Sequence, residues 1–274
     1  MIKDILVNLK LGGARDVAGE FAVSVAATFD ARLTGIAFRY EPLIPSTDMY
    51  GFPAEIIESQ RVENDKLAKT AVARFDQNAA RVSAVTHIID VPAASAPQQL
   101  SQIARRFDLA VIAQPEPERP ALDTLLVEAT LFESGRPMLV VPYIQKAPLK
   151  LDRILLCWDG SRSAARAIAD ALPFIARAKA CEIVTVSSEP PKSDEMPSAD
   201  IAQHLARHGA KVEIERIVAT ETDVAGTLLS HAADVSADLL VMGGYGHSRL
   251  REFVLGGATR GILGSMTLPT LMSH

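Results

Sequence analysis

The residues best suited to chemistry lie in two short stretches of the second half of the chain. In Met242-Gly243-Gly244-Tyr245-Gly246 two glycines stand three apart, Gly243 and Gly246, and Gly256-Gly257 follow after nine further residues. A glycine carries no Cβ, so the backbone can turn sharply and bring its N–H groups against a ligand. Gly256 and Gly257 precede a helical stretch beginning at Ala258, whose unpaired N–H groups and positive dipole end suit an anion such as phosphate. In Cys157-Trp158-Asp159-Gly160-Ser161 an acid ends an apolar run and can accept from a sugar hydroxyl or an adenine amino group. Each stretch also has a plainer reading, as turn-forming glycines and as an Asp-Gly turn that caps the next helix.

What must position these stretches is an alternation of short β-branched runs with longer amphipathic ones. Ile5–Leu9, Ala31–Phe38, Val85–Ile89, Leu109–Ala113 and Met138–Val141 read as strands. Between them, Val17–Thr28, Ala54–Val82, Pro97–Phe107 and Thr124–Ser134 have helical spacing. The second half repeats the order, with strands Ile154–Trp158, Cys181–Ser187, Val212–Val218, Asp238–Met242 and Thr270–Met272. Its helices are Ser163–Arg177, Ala199–Gly209, Val224–Val235 and Ala258–Met266. Such alternation predicts an α/β fold of βαβ units, with parallel sheets and right-handed crossovers, as in Rossmann-like proteins.

The halves align directly. Lys3-Asp4-Ile5-Leu6-Val7 matches Asp152-Arg153-Ile154-Leu155-Leu156, Asp108-Leu109-Ala110-Val111-Ile112 matches Asp238-Leu239-Leu240-Val241-Met242, and Arg136-Pro137-Met138-Leu139 matches Leu268-Pro269-Thr270-Leu271. An internal duplication follows, giving two tandem open parallel-sheet domains of five strands each, residues 1–146 and 150–274. The linker is Ile144–Leu149, and the falling offset between the halves puts an insertion in residues 41–60 of the first. The glycine and Asp159 stretches then end the fourth and first strands of one sheet, the edge where open α/β sheets take ligands. That coincidence favours binding over turns alone.

Composition bounds the rest. The 274 residues are 48% hydrophobic, 22% charged and carry net charge −5, which excludes a disordered or coiled-coil chain and a global positive field for nucleic acid or an anionic bilayer. A phosphate ligand therefore needs a local site. Cys157 and Cys181, the two cysteines, sit in apolar runs and read as reduced core thiols. Residues from Met1 to Lys10 hold no signal-length apolar segment, and no run approaches the ~18 residues of a membrane span, so no membrane and a cytoplasmic location are expected.

Asp159-Gly160-Ser161 after the first strand, with Gly243-x2-Gly246-x9-Gly256 after the fourth, resembles the nucleotide-binding pattern of the universal stress protein family. The resemblance spans essentially the whole chain as a tandem two-domain member, although only the second half carries the motif. It implies a five-stranded domain of the adenine-nucleotide α-hydrolase type that often binds ATP, or ADP or AMP, with Mg as an optional companion. It further implies domain pairing through the last strands, with a homodimer as a further option. Carried over by residue, Asp159 and Gly160 would approach ribose or adenine, the Val186 backbone the adenine, and Gly243, Gly246 and Gly256 the ribose and phosphates. The family places Ser or Thr after its last glycine, where this chain has Gly257, with Thr259 two residues later. A missing hydroxyl donor costs about 1 kcal/mol of phosphate binding, or somewhat more beside a charge.

His247, Ser248, Arg249 and Arg251 read either as phosphate contacts or as solvated loop residues, the second being favoured. In the first half Lys10 stands where Asp159 stands, and the prolines and acids of 115–120 replace the glycine turn; prolines remove N–H donors and acids repel phosphate. One nucleotide site per chain at most is expected. This is no Walker loop, since Gly-Lys-Ser/Thr is absent, and no dinucleotide fingerprint, since Arg249 follows Gly246 where glycine is needed. His204 and His208 lie one helical turn apart without an evident third metal ligand, and with His231 and Asp234 they read as solvated surface. Ser161 and Ser163 lie outside any Gly-x-Ser-x-Gly elbow. Three functions remain: a non-catalytic nucleotide-binding stress protein, a nucleotide-free interaction scaffold, and, least supported, an enzyme coupling ATP to a second substrate.

Overall fold

The computed structural model describes residues 1–42, 53–116, 120–187, 198–219, 223–245 and 257–274. The first half runs β1 (Asp4–Asn8), α1 (Val17–Phe29), β2 (Arg32–Tyr40), α2 (Ala54–Asn78), β3 (Ala84–Val91), α3 (Ala96–Ala104), β4 (Leu109–Ala113), α4 (Pro120–Glu133) and β5 (Met138–Val141). The second half runs β6 (Arg153–Cys157), α5 (Arg162–Ile175), β7 (Ala180–Ser187), α6 (Ala199–Arg207), β8 (Val212–Val218), α7 (Val224–Asp234), β9 (Leu239–Gly243), α8 (Ala258–Ser265) and β10 (Thr270–Ser273). Of the insertion expected at 41–60, residues 43–52 lie outside the described residues and 54–60 are the first turns of α2. The expected α4 begins earlier than Thr124, at Pro120, a residue suited to the first helical turn.

All ten strands form one sheet in the order β3-β2-β1-β4-β5-β10-β9-β6-β7-β8. Pairing is parallel throughout each half and antiparallel only where the halves meet, with Leu271 opposite Leu139. Central strands alternate their buried residues between two cores: Ile154 and Leu156 face one, with α1, α2, α5 and α6, while Leu155 faces the other, with α3, α4, α7 and α8. The apolar runs of β1, β4, β6 and β9 thus reflect burial on both faces. At the edge, β8 alternates instead, as a half-exposed strand must.

The repeated sequence motifs have a repeated job. Asp108 accepts from the N–H groups of Lys3 and Asp4 at 2.7 and 3.1 Å, and Asp238 from those of Asp152 and Arg153 at 2.8 and 3.0 Å. Each aspartate ties the start of its half's first strand to the start of its fourth. Between the halves, Phe29 of α1 meets Phe174 of α5 edge-to-face with ring centroids 4.8 Å apart, and the Arg177 guanidinium lies 4.6 Å over the Phe29 ring. On the other face Gln114, 2% exposed, donates to the Leu263 carbonyl at 2.9 Å. No helix among the described residues is long and apolar enough to cross a membrane.

Phe174 is fully buried at this junction, so Phe174→Ala is expected to lower stability by about 3–5 kcal/mol through lost transfer energy and a cavity between the halves. Urea unfolding followed by circular dichroism checks this; an unchanged midpoint would contradict the junction's role.

Candidate functional site

In the second half β6 has β9 on one side and β7 on the other. The chain leaves β6 into α5, on one face of the sheet, and leaves β9 into α8, on the opposite face. The strand order reverses between β6 and β9, and that reversal opens a crevice at their carboxyl ends. The candidate residues that are described lie at this end of the sheet.

Asp159 and Gly160 form the turn after β6. Asp159 is exposed, and its Oδ1 accepts from the Ser161 N–H at 2.9 Å. Gly160 sits at φ +75°, in the left-handed region, where a side chain is strained although nothing crowds it. Ser161 caps α5, its Oγ accepting from the Ala164 N–H at 3.1 Å and lying 3.1 Å from the Ser163 Oγ. The capping turn is therefore present, and it occupies only one of the two Asp159 carboxylate oxygens. One strand over, the Val184 carbonyl accepts from Trp158 and the Ser187 carbonyl from Ala219. Alternation along the strand then directs the Val186 backbone toward the line of β6, past the point where β6 stops at Cys157.

Gly243 ends β9 against the start of α5. A Cβ there would lie 2.5 Å from the Ala164 nitrogen and 2.6 Å from the Ser163 carbonyl carbon. Backbone cannot yield as a side chain can, so Gly243 is required for strand and helix to close on each other, before any ligand is considered. Thr259, 2% exposed, accepts at Oγ1 from the Tyr245 N–H at 3.0 Å, a bond that engages a lone pair and not the hydroxyl proton. That bond holds Tyr245 in its left-handed conformation, φ 51°. Gly257 is the N-cap of α8 and supplies no side-chain cap, which leaves first-turn N–H groups to other partners. Gly246, Gly256, His247, Ser248, Arg249 and Arg251 lie outside the described residues.

The equivalent place in the first half is closed. Lys10, at the Asp159 position, pairs with Glu116, which aligns with Gly246 when β4 is set on β9. Arg74 of α2 donates to the carbonyls of Lys10 and Gly13 at 2.7 and 2.9 Å, and buried Asp16 accepts from the N–H groups of Lys10 and Gly19 at 3.1 and 2.9 Å. An ion pair and a tethered loop thus span the mouth of the first half.

Sequence reasoning missed two groups. The first joins the halves beside the site, where the Tyr245 ring packs at a tilt against Phe132 with centroids 4.9 Å apart, its hydroxyl donates to Glu128 at 3.3 Å, and the His274 ring lies 3.0 Å from the Gly244 carbonyl. The second corrects the solvated reading of His231: its ring, 18% exposed, pairs with Glu182, which also accepts from Arg153 at 2.8 Å. The Tyr245–Glu128 and His231–Glu182 contacts join residues more than 45 positions apart, and no local spacing announces them. His204 of α6 and His208, the residue that caps its end, pack ring against ring with centroids 4.8 Å apart.

A doubly wound α/β sheet repeated in tandem, with the Asp159-Gly160 turn and Gly243 at the switch point of its second half, defines the class. Residues 150–274 match the family model described as the universal stress protein family. Over 151 residues, 53% of this chain, the sequence is 29% identical to a universal stress protein of Synechocystis sp., and it spans about half of that protein, 49%. In fold the chain is similar to a universal stress protein from Archaeoglobus fulgidus, with TM-score 0.69 at 14% identity, covering 98% of this chain and 95% of that one. It is also similar to a candidate universal stress protein from Pseudomonas aeruginosa, with TM-score 0.62 at 18% identity over 99% and 93% of the two chains. By sequence, residues 150–274 are thus similar to the universal stress protein family, and the first half repeats their fold.

Two predictions follow from the turn and strand ends. Gly243→Ala is expected to cost about 1–3 kcal/mol or more, through overpacking against backbone, and Gly160→Ala about 1 kcal/mol through backbone strain alone; thermal melts should rank them in that order. Burial, with the Asp159 charge adding to it, pushes the Cys157 thiol up to about 12, and burial pushes Cys181 up to about 11. Both therefore stay protonated at neutral pH, and iodoacetamide at pH about 8 should label them only when the chain is denatured. Fast labelling of the native protein would contradict this.

Proposed function

We propose that this is a stress-response protein that binds ATP, or the related ADP or AMP, in its second half, as a structural or signalling ligand and without rapid turnover. The reading takes residues 1–146 and 150–274 as two domains and confines the nucleotide to the second. One observation carries it: the exposed Asp159 turn, the Val186 backbone and the uncapped start of α8 follow or belong to elements whose ends share one edge of one sheet, at its switch point. Asp159 would accept from ribose or adenine, the Val186 backbone would meet the adenine edge, and Gly160 would keep the turn low beneath the ligand. N–H groups from Gly257 onward, with those of Gly246 and Gly256, would hold the phosphates. Gly243 and Thr259 would act at one remove, the first by letting β9 close on α5 and the second by fixing Tyr245.

Mg enters only as a companion of the phosphates. Among the described residues no three His, Cys, Asp or Glu side chains gather into a metal site. The second reading, a nucleotide-free scaffold, is favoured by the absence of a capping hydroxyl at Gly257.

Isothermal titration of the full chain with ATP separates the readings. One site per chain is expected, weakened roughly tenfold by Asp159→Ala through loss of a charge-assisted hydrogen bond and unmoved by Lys10→Ala in the closed half. Two equivalent sites, or no saturable heat up to about millimolar ATP, would sink the proposal, and the second result would favour the scaffold.

A further inference from the structure

The two halves also diverge on the sheet face below α3 and α7, away from the nucleotide crevice. With Asp4 set on Arg153, the strand registers place Thr34, Val85 and His87 of the first half on Glu182, Glu213 and Glu215 of the second. In the second half this face is tied by charge: Glu182 joins Arg153 and His231, and Arg153 also donates to Glu213 at 2.9 Å. In the first half the positions of Arg153, Glu182 and His231 are held by Asp4, Thr34 and Ser101, which make no such bridge.

A trough of about 650 Å³ lies there instead, within the roughly 300–1,000 Å³ typical of small-ligand clefts. Its apolar lining comes from Ile36, Val85 and Ile89 of the sheet and from Ile103 and Phe107 at the end of α3. Phe107 and Arg106 take the places of Ala237 and Ser236 in the second half, so bulk and charge have been added to the wall. The rim carries Arg32, Arg106 and His87, all exposed. Neither guanidinium has an ion-pair partner among the described residues, and Asp4 is the one acid in the lining. Two arginines against one carboxylate leave the rim net positive above an apolar floor.

We infer that this trough is a second binding site, for a small amphipathic carboxylate whose chain or ring lies along the sheet face while its head group meets Arg32 and Arg106. An uncharged apolar ligand would leave the two guanidiniums unmatched, and a cationic one would be repelled. Arginine suits the task because its planar fork meets a carboxylate with two parallel hydrogen bonds. The site stands apart from the nucleotide crevice and does not depend on it.

Titration of the full chain with decanoate, below its micelle-forming concentration, tests the inference. One saturable site is expected, with no binding of decyltrimethylammonium. Arg106→Glu, at an exposed position, should weaken decanoate at least about tenfold. Val85→Glu, which installs the acid found at the matching position of the second half, should do the same by placing a carboxylate in the apolar wall. No saturable binding up to about 1 mM decanoate, or affinity unchanged in both variants with native circular dichroism, would overturn it.

Discussion

The antiparallel pairing of β5 with β10 is the contact on which the rest of the molecule depends. Every residue of both strands is buried, and neither could stand as a free sheet edge without presenting an unpaired backbone flanked by apolar side chains. Paired, they convert two five-stranded sheets into one, and both cores run continuously across the junction. Leu139 and Leu271, equivalent in the duplicated sequence, face each other directly, so the pairing is close to two-fold symmetric. The flanking contacts follow that symmetry. Gly244 abuts Leu131, while Gln114, its counterpart, reaches the carbonyl of Leu263, the counterpart of Leu131.

Symmetry of the scaffold has allowed asymmetry of the sites. Each half presents a switch point at the carboxyl end of its strands, yet one mouth is spanned by Lys10 and Glu116 and the other follows an exposed aspartate turn. The opposite holds on the face below α3 and α7, where the second half is tied by Glu182 and the first is open. Each half has filled one of these two places with an ion pair. A buried or half-buried ion pair is a poor source of net stability, because desolvation offsets attraction. Its effect here is geometric: it occupies volume and fixes side chains that a ligand would otherwise displace.

Much of this was legible along the chain because the signals are local. Strand and helix alternation, the duplicated motifs around Asp4 and Asp108, and the break near residue 147 all rest on spacing within a few tens of residues. The α/β class and the tandem arrangement follow from periodicity and from the ban on unpaired backbone in a core. The Asp159-Gly160-Ser161 turn was legible for the same reason, since its hydrogen bonds span two or three residues. Gly243 was found as a glycine but given a different reason: its nearest neighbours are Ser163 and Ala164, eighty residues away in sequence, and only folding brings them against it. His231 looked like a surface residue because Glu182 lies on another element.

The sequence by itself therefore determined the class of fold and the duplication, since these depend on residue type and period. Tertiary structure alone decided which glycine serves packing, that the Thr259 Oγ1 accepts from the Tyr245 N–H, that Lys10 and Glu116 close the first crevice, and that the first half keeps a cationic apolar trough. The physical reason is common to all four. Each is settled by what a side chain meets across a sheet or between helices, and those neighbours are chosen by strand order and register, which no local spacing contains.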